Sequence, residues 1–225
     1  MIIVNGRNCS ELNIVFNELP SIPKPVRRTE ERIVSGRDGT LTIDKGTYDN
    51  ISLTLTGHAE CTRSELIAYF GNFGELKFET SADRFWKYRV VNLDIREILD
   101  DGELLSFGIT LSFSPYKYLD SGKEKIFGTS MSLANNYNSD AYPILRIYAS
   151  GDIGITKNLV QVMRITGVED YVIVDCEADV IHRDNVNYDS RVTGDVFFLD
   201  SNKTTILNFS GGVSKVELIP NWREI

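Results

Sequence analysis

Apolar and polar side chains alternate along most of this chain with a period of two. In Ile51-Ser52-Leu53-Thr54-Leu55-Thr56 the apolar residues fall on one face and the hydroxyls on the other. Leu105, Phe107, Ile109, Leu111 and Phe113 alternate in the same way with Ser106, Gly108, Thr110, Ser112 and Ser114. Successive strand residues point to opposite faces, so each run predicts a strand with one face for a core and one for water or a partner. The same reading covers 76–78, 85–95, 144–149, 160–165, 171–181 and 213–219. Many short strands punctuated by Gly, Asn and Asp predict an all-β, mainly antiparallel chain of sandwich or barrel type.

One helix is expected, over about 62–71. Thr62-Arg63-Ser64-Glu65 forms a capping box, Leu66, Ile67 and Phe70 supply an apolar stripe, and Gly71 suits the left-handed position that ends a helix. A helix this short needs a sheet to dock on. The polar, glycine-containing stretch Asp120-Ser121-Gly122-Lys123-Glu124-Lys125 reads as a linker, which divides the chain into an N-terminal β domain, 1–120, and a C-terminal β-sandwich, 121–225. The segment 17–32 holds Pro20, Pro23 and Pro25 and the pair Arg27-Arg28, and its prolines bar it from a central strand. Such a stiffened arm lies across a surface, either of its own domain or of a neighbour.

Composition narrows the function. The 225 residues are 42% hydrophobic and 25% charged, an ordinary globular balance, and 24 Lys and Arg against 32 Asp and Glu leave a formal charge of −8. Nucleic acid and anionic membranes both favour a cationic footprint, so neither is the expected main partner. Cys9, Cys61 and Cys176 form no close pair, which excludes a paired zinc motif or a redox Cys-x-x-Cys and reads as free thiols in a reducing compartment. The apolar start of the chain is too short for a signal peptide, and no segment has the ~20 apolar residues of a spanning helix.

Candidate chemistry is sparse. The two histidines, His58 and His182, have no orienting neighbour in sequence, and no nucleophile elbow, phosphate loop or metalloprotease motif occurs. Cys61 stands beside the helix start, where the dipole favours a thiolate, but no histidine base accompanies it. Asp175, Glu177 and Asp179, spaced by two, are expected on one strand face; the alternatives are a solvated face, a calcium site or a glycosidase pair. The oxygen-rich loop 184–189 lacks the glycine and terminal glutamate of a calcium hand and reads as a turn. Trp222 is expected to plug the sandwich core. The residues therefore predict no catalytic, cofactor-binding or metal site.

Several short motifs in order resemble the distal tail protein (Dit) family of long-tailed phages of Gram-positive hosts and their prophages. They are Val4-Asn5-Gly6, the proline arm, Val34-Ser35-Gly36-Arg37-Asp38-Gly39, Phe113-Ser114-Pro115-Tyr116, and Tyr142-Pro143-Ile144-Leu145 leading to Gly151-Asp152. Gly194-Asp195-Val196-Phe197-Phe198-Leu199, Gly211-Gly212-Val213-Ser214 and Ile219-Pro220-Asn221-Trp222-Arg223 follow, with Asp200-Ser201-Asn202-Lys203 where many relatives have a Pro-Gly turn. The resemblance implies an N-terminal barrel-like or split-barrel domain with one helix, which assembles into a hexameric ring, and a C-terminal galectin-like sandwich. It implies a baseplate hub at the virion tail tip, made and assembled in the bacterial cytoplasm. Its implied partners are copies of itself, the tail tube protein, tail-associated and tape-measure proteins and the receptor-binding apparatus, with DNA passing only as unbound cargo and no membrane contact. An acidic lumen would repel phosphates. The residues expected at subunit contacts are Pro20, Pro23, Pro25, Arg27, Arg28 and the turn Gly36-Arg37-Asp38-Gly39. The rival reading is a carbohydrate-binding module for host cell-wall glycans, for which Tyr148, Tyr171 and Tyr188 are candidate platform residues with no evident grouping in sequence.

Overall fold

The computed structural model describes residues 2–18, 21–81, 83–98 and 104–225. The chain is all-β with antiparallel pairing and one α-helix, as the alternation predicts, and one sheet curls into a half-barrel. It divides into two compact units, Met1–Lys117 together with Ile225, and Tyr118–Glu224.

The first unit contains β1 (Ile2–Val4), β2 (Arg7–Asn8), β3 (Val15–Phe16), β4 (Arg27–Ile33), β5 (Thr40–Tyr48), β6 (Ile51–Glu60), α1 (Arg63–Phe70), β7 (Phe73–Phe78), β8 (Arg84–Glu97) and β9 (Leu104–Phe113). Seven strands run side by side in the order β2-β1-β7-β8-β9-β6-β3. The inward side chains of β9, from Leu105 to Phe113, are all buried, and β6 lies against it from Ile51↔Phe113 to Glu60↔Leu104. Each large apolar side chain buried in such a row contributes about 1.5–3 kcal/mol by transfer from water.

Helix α1 starts where the sequence indicates. The Thr62 hydroxyl accepts the Glu65 amide at 3.3 Å, and the Glu65 carboxylate accepts the Thr62 amide at 2.8 Å. Gly71, at φ +61°, ends it. The buried stripe is Leu66, Tyr69 and Phe70, whereas Ile67 is exposed, because a 3.6-residue turn brings Leu66 back onto the positions three and four further along. Tyr88 donates its hydroxyl to the Phe70 carbonyl, which ties the helix end to β8.

The second unit contains β10 (Lys117–Leu119), β11 (Ile126–Phe127), β12 (Ser130–Asn135), β13 (Ile144–Lys157), β14 (Val160–Val168), β15 (Tyr171–Asp175), β16 (Val180–Arg183), β17 (Val186–Asn187), β18 (Val192–Gly194), β19 (Lys203–Ile219) and β20 (Arg223–Glu224). Two long strands organise it. β13 pairs with β19 along its whole length, while its first half also pairs with β15 and its second half with β14. The ladder is interrupted between Ala149 and Ile153, so one strand pair serves two layers: β11-β19-β13-β15-β16-β17, and β12-β19-β13-β14-β18. The bend requires glycine, since Gly211 sits at φ +85° and a Cβ on Gly212 would lie 2.0 Å from the Ser150 carbonyl oxygen. Leu145 and Ile147 from one layer meet Ile155, Met163, Ile165 and Leu207 from the other in one core, with Trp222 in it as expected.

The expected linker is not loose chain. Asp120–Lys123 forms a 3-10 turn, and Gly122 is buried so closely that a Cβ would lie 2.5 Å from the Trp222 amide nitrogen.

Candidate functional site

Several candidate side chains stand elsewhere than the sequence spacing places them. Asp175, Glu177 and Asp179 do not share a strand face: β15 ends at Asp175, and residues 176–179 form the turn into β16. The Asp175 carboxylate accepts the amides of Glu177 and Ala178 at 3.0 and 2.9 Å, and Asp179 sits at φ +55°. A carboxylate that satisfies turn amides wins over continued alternation. Glu177 instead accepts the Tyr118 hydroxyl at 2.5 Å. Among the described residues no group of three His, Cys, Asp or Glu is placed to hold a metal ion.

Cys61 is buried, and burial together with nearby Glu65 raises its thiol above the ordinary range, opposite to the shift an activated nucleophile needs. His58 lies on the exposed face of β6, and His182 has Nδ1 3.0 Å from the Asp184 carbonyl oxygen. Of the platform tyrosines, Tyr188 is buried, while Tyr148 and Tyr171 stand beside each other on β13 and β15 with ring centroids 6.1 Å apart. Their grouping follows from the β13–β15 register, which the sequence does not show.

The proposed contact residues separate into two groups. Pro20 lies outside the described residues. Pro23 and Pro25 line a groove of about 250 Å³ with Ile22, Ile51, Trp86 and Pro115, and Ile22 packs on the first unit's core, so this part of the arm lies on its own domain. Arg27 and Arg28 are not arm residues: they open β4, whose partner is β5. Gly36-Arg37-Asp38-Gly39 is the tip joining the two strands, with Gly36 at φ +80° and Gly39 at φ +76°. A Cβ on either would meet nothing within 4 Å, so the glycines serve the backbone conformation and not close packing.

This hairpin is the unusual element of the first unit. β4 and β5 form a two-stranded sheet of their own, paired with no other strand among the described residues. Its charged side chains neutralise each other: Arg27 with Asp44 and Arg28 with Asp49, both at 2.6 Å, and Glu30 with Arg32 and Lys45. Its apolar side chains stay outside, with Ile33 86% exposed and Val26, Val34 and Leu41 exposed as well. Tyr48 anchors the base, with the Arg27 guanidinium over its ring at 5.3 Å and the Tyr116 ring edge-on at 6.2 Å. Elsewhere on the same unit, β3 forms one end of the strand order beside a groove of about 620 Å³ lined by Ile2, Cys9, Ile14, Val15 and Phe16.

No protein-family model matches the chain, and no curated protein sequence matches it. Solved structures do. The crystal structure of the SPP1 Dit protein (gp 19.1), of the hub adsorption apparatus of phages infecting Gram-positive hosts, aligns with a TM-score of 0.57 over 96% of this chain and 97% of that one, at 13% identity. A chain of the phage P2 baseplate in its activated conformation with Ca aligns with a TM-score of 0.53 over 94% of this chain and 91% of its own, at 12% identity. The polypeptide therefore has, almost end to end, the fold of phage Dit and baseplate hub proteins.

Proposed function

We propose that this chain is a structural subunit of a phage tail tip: it works through protein–protein contacts, catalyses no reaction, and joins copies of itself into a closed ring, six in the arrangement the resemblance implies. In this reading the first unit, up to about residue 120, makes the ring, and the second meets other tail components. The likeness of fold to hub proteins over nearly the whole chain supports the setting.

The observation that carries the reading is the detached hairpin. A two-stranded hairpin is at best marginally stable in water. Among the described residues this one pairs with no other strand at either edge, and it holds Ile33, Val34 and Leu41 in solvent. Unpaired edges and exposed β-branched residues invite a further strand or an apolar groove. A ring with head-to-tail contacts needs two unlike patches on each subunit. The hairpin is one, and the open end of the sheet at β3 with its apolar groove is the other.

Sedimentation of the purified chain tests this. The account expects a concentration-dependent oligomer, which Ile33→Asp combined with Leu41→Asp converts to monomer without loss of the β-sheet circular dichroism signal. An oligomer unchanged by the double substitution would refute the hairpin's role. A glycan-stacking function is not supported by the tyrosine pair, because the Arg146 guanidinium already covers the Tyr171 ring at 4.0 Å.

A further inference from the structure

The second unit carries a surface to which the proposed ring assigns no role. On the outer face of its first layer, cross-strand neighbours form the row Phe127–Glu217–Arg146–Ile173–His182, one residue from each of β11, β19, β13, β15 and β16. Arg146 is held between two rings, 4.0 Å from the Tyr171 centroid and 5.3 Å from that of Tyr148. The rings are themselves fixed, Tyr171 donating its hydroxyl to the Asp184 carboxylate and Tyr148 donating to Glu217 at 3.4 Å.

The other cations of this face are each in contact with a carboxylate. Lys125 and Lys215 both bind Glu217, at 3.0 and 2.7 Å, and Arg183 lies 3.8 Å from Asp170. Arg146 is not. Its cross-strand neighbour Glu217 is taken by the two lysines, no described carboxylate pairs with it, and its Nε is enclosed without an acceptor. A planar guanidinium immobilised between tyrosines, half-buried and lacking its anion, is a preformed receptor for a carboxylate.

We propose that this face docks a polypeptide partner by receiving an Asp or Glu side chain of that partner on Arg146, with Phe127 as the neighbouring apolar anchor. Three observations favour a polypeptide. Arg146 is the one cation of this face that no described carboxylate contacts, and a single guanidinium suits one side-chain carboxylate, whereas a phosphate polymer or an anionic membrane needs several cations. The tyrosine faces are covered by the guanidinium, so a sugar ring has no bare platform there. Tyr, Arg and Phe are also the side chains enriched at the energetic centres of protein interfaces. Phe127, 58% exposed, stands two strand spacings from Arg146, about 10 Å, which a peptide in the polyproline II conformation, with three residues per turn and about 3.1 Å per residue, spans in three residues with both side chains on one side. The expected motif is thus an acidic and an apolar residue three positions apart.

The test uses the intact chain with ¹⁵N-labelled arginine. The probe is a short peptide with blocked ends carrying Glu and Leu three positions apart; its controls are the same peptide with Gln for Glu and a glycerol-phosphate polymer. Addition of the Glu peptide is expected to shift the Arg146 Nε–H resonance saturably, while the Gln peptide leaves it in place. Arg146→Gln weakens binding at least about tenfold, as loss of a buried charge partner does, and Arg164→Gln on the other layer leaves it unchanged. No shift with the Glu peptide, an equal shift with the Gln peptide, or saturable binding of the phosphate polymer alone would each overturn the proposal. None of these outcomes bears on ring formation, which the proposed function assigns to the first unit.

Discussion

Glu217 shows how much a single carboxylate organises on this surface. It takes hydrogen bonds from Lys215 and Lys125, and these lower its pKa from an ordinary 4.5 to about 2. A carboxylate whose folded pKa is depressed stabilises the fold above its unfolded value, and that contribution fades as pH falls toward the folded one. Glu217→Gln should therefore lower the melting temperature at neutral pH, and the gap from the parent should close between about pH 4.5 and pH 2. Thermal melts across that range check it; a gap independent of pH would mean that the residue acts through packing alone. The cysteines make a second residue-scale test. All three are buried, and burial pushes the Cys176 thiol up to about 12. A thiol reagent should modify none of them in the native protein and all three after unfolding. Rapid native labelling of Cys61 would instead reopen a reactive role for it.

At the scale of elements, the helix start was legible because a capping box is a local, residue-by-residue signal. Thr62→Ala removes the hydroxyl that accepts the Glu65 amide and should cost about 1 kcal/mol, readable by denaturant titration. The β13–β19 bend is a sharper case. Gly212→Val would drive a side chain into the Ser150 carbonyl, so it should abolish the folded second unit or yield insoluble protein; a stable variant would contradict the close approach. What the sequence hid at this scale was pairing. Alternation in 171–181 looks like one strand, yet Asp175 turns the chain by capping two amides, a choice that periodicity cannot distinguish from continued extension. Arg27, Arg28 and the Gly36–Gly39 tip were each legible as surface features, but their union in one hairpin depends on a register that local signals do not encode. Arg146 passed unnoticed for the same reason, since its isolation follows from which strands flank β13.

For the whole molecule, fold class was readable from period-two runs, and the ordered motifs pointed to a hub-like fold that the solved structures share. The account's central claim is that copies of this chain close into a ring through a hairpin that pairs with no other strand among the described residues of its own subunit. Negative-stain electron microscopy of the purified protein at high concentration, alone and with the tail-tube protein proposed as its partner, tests that claim most directly. The account predicts annular particles, lost when Ile33 and Leu41 are both replaced by Asp. Fields of isolated monomers under both conditions would contradict it.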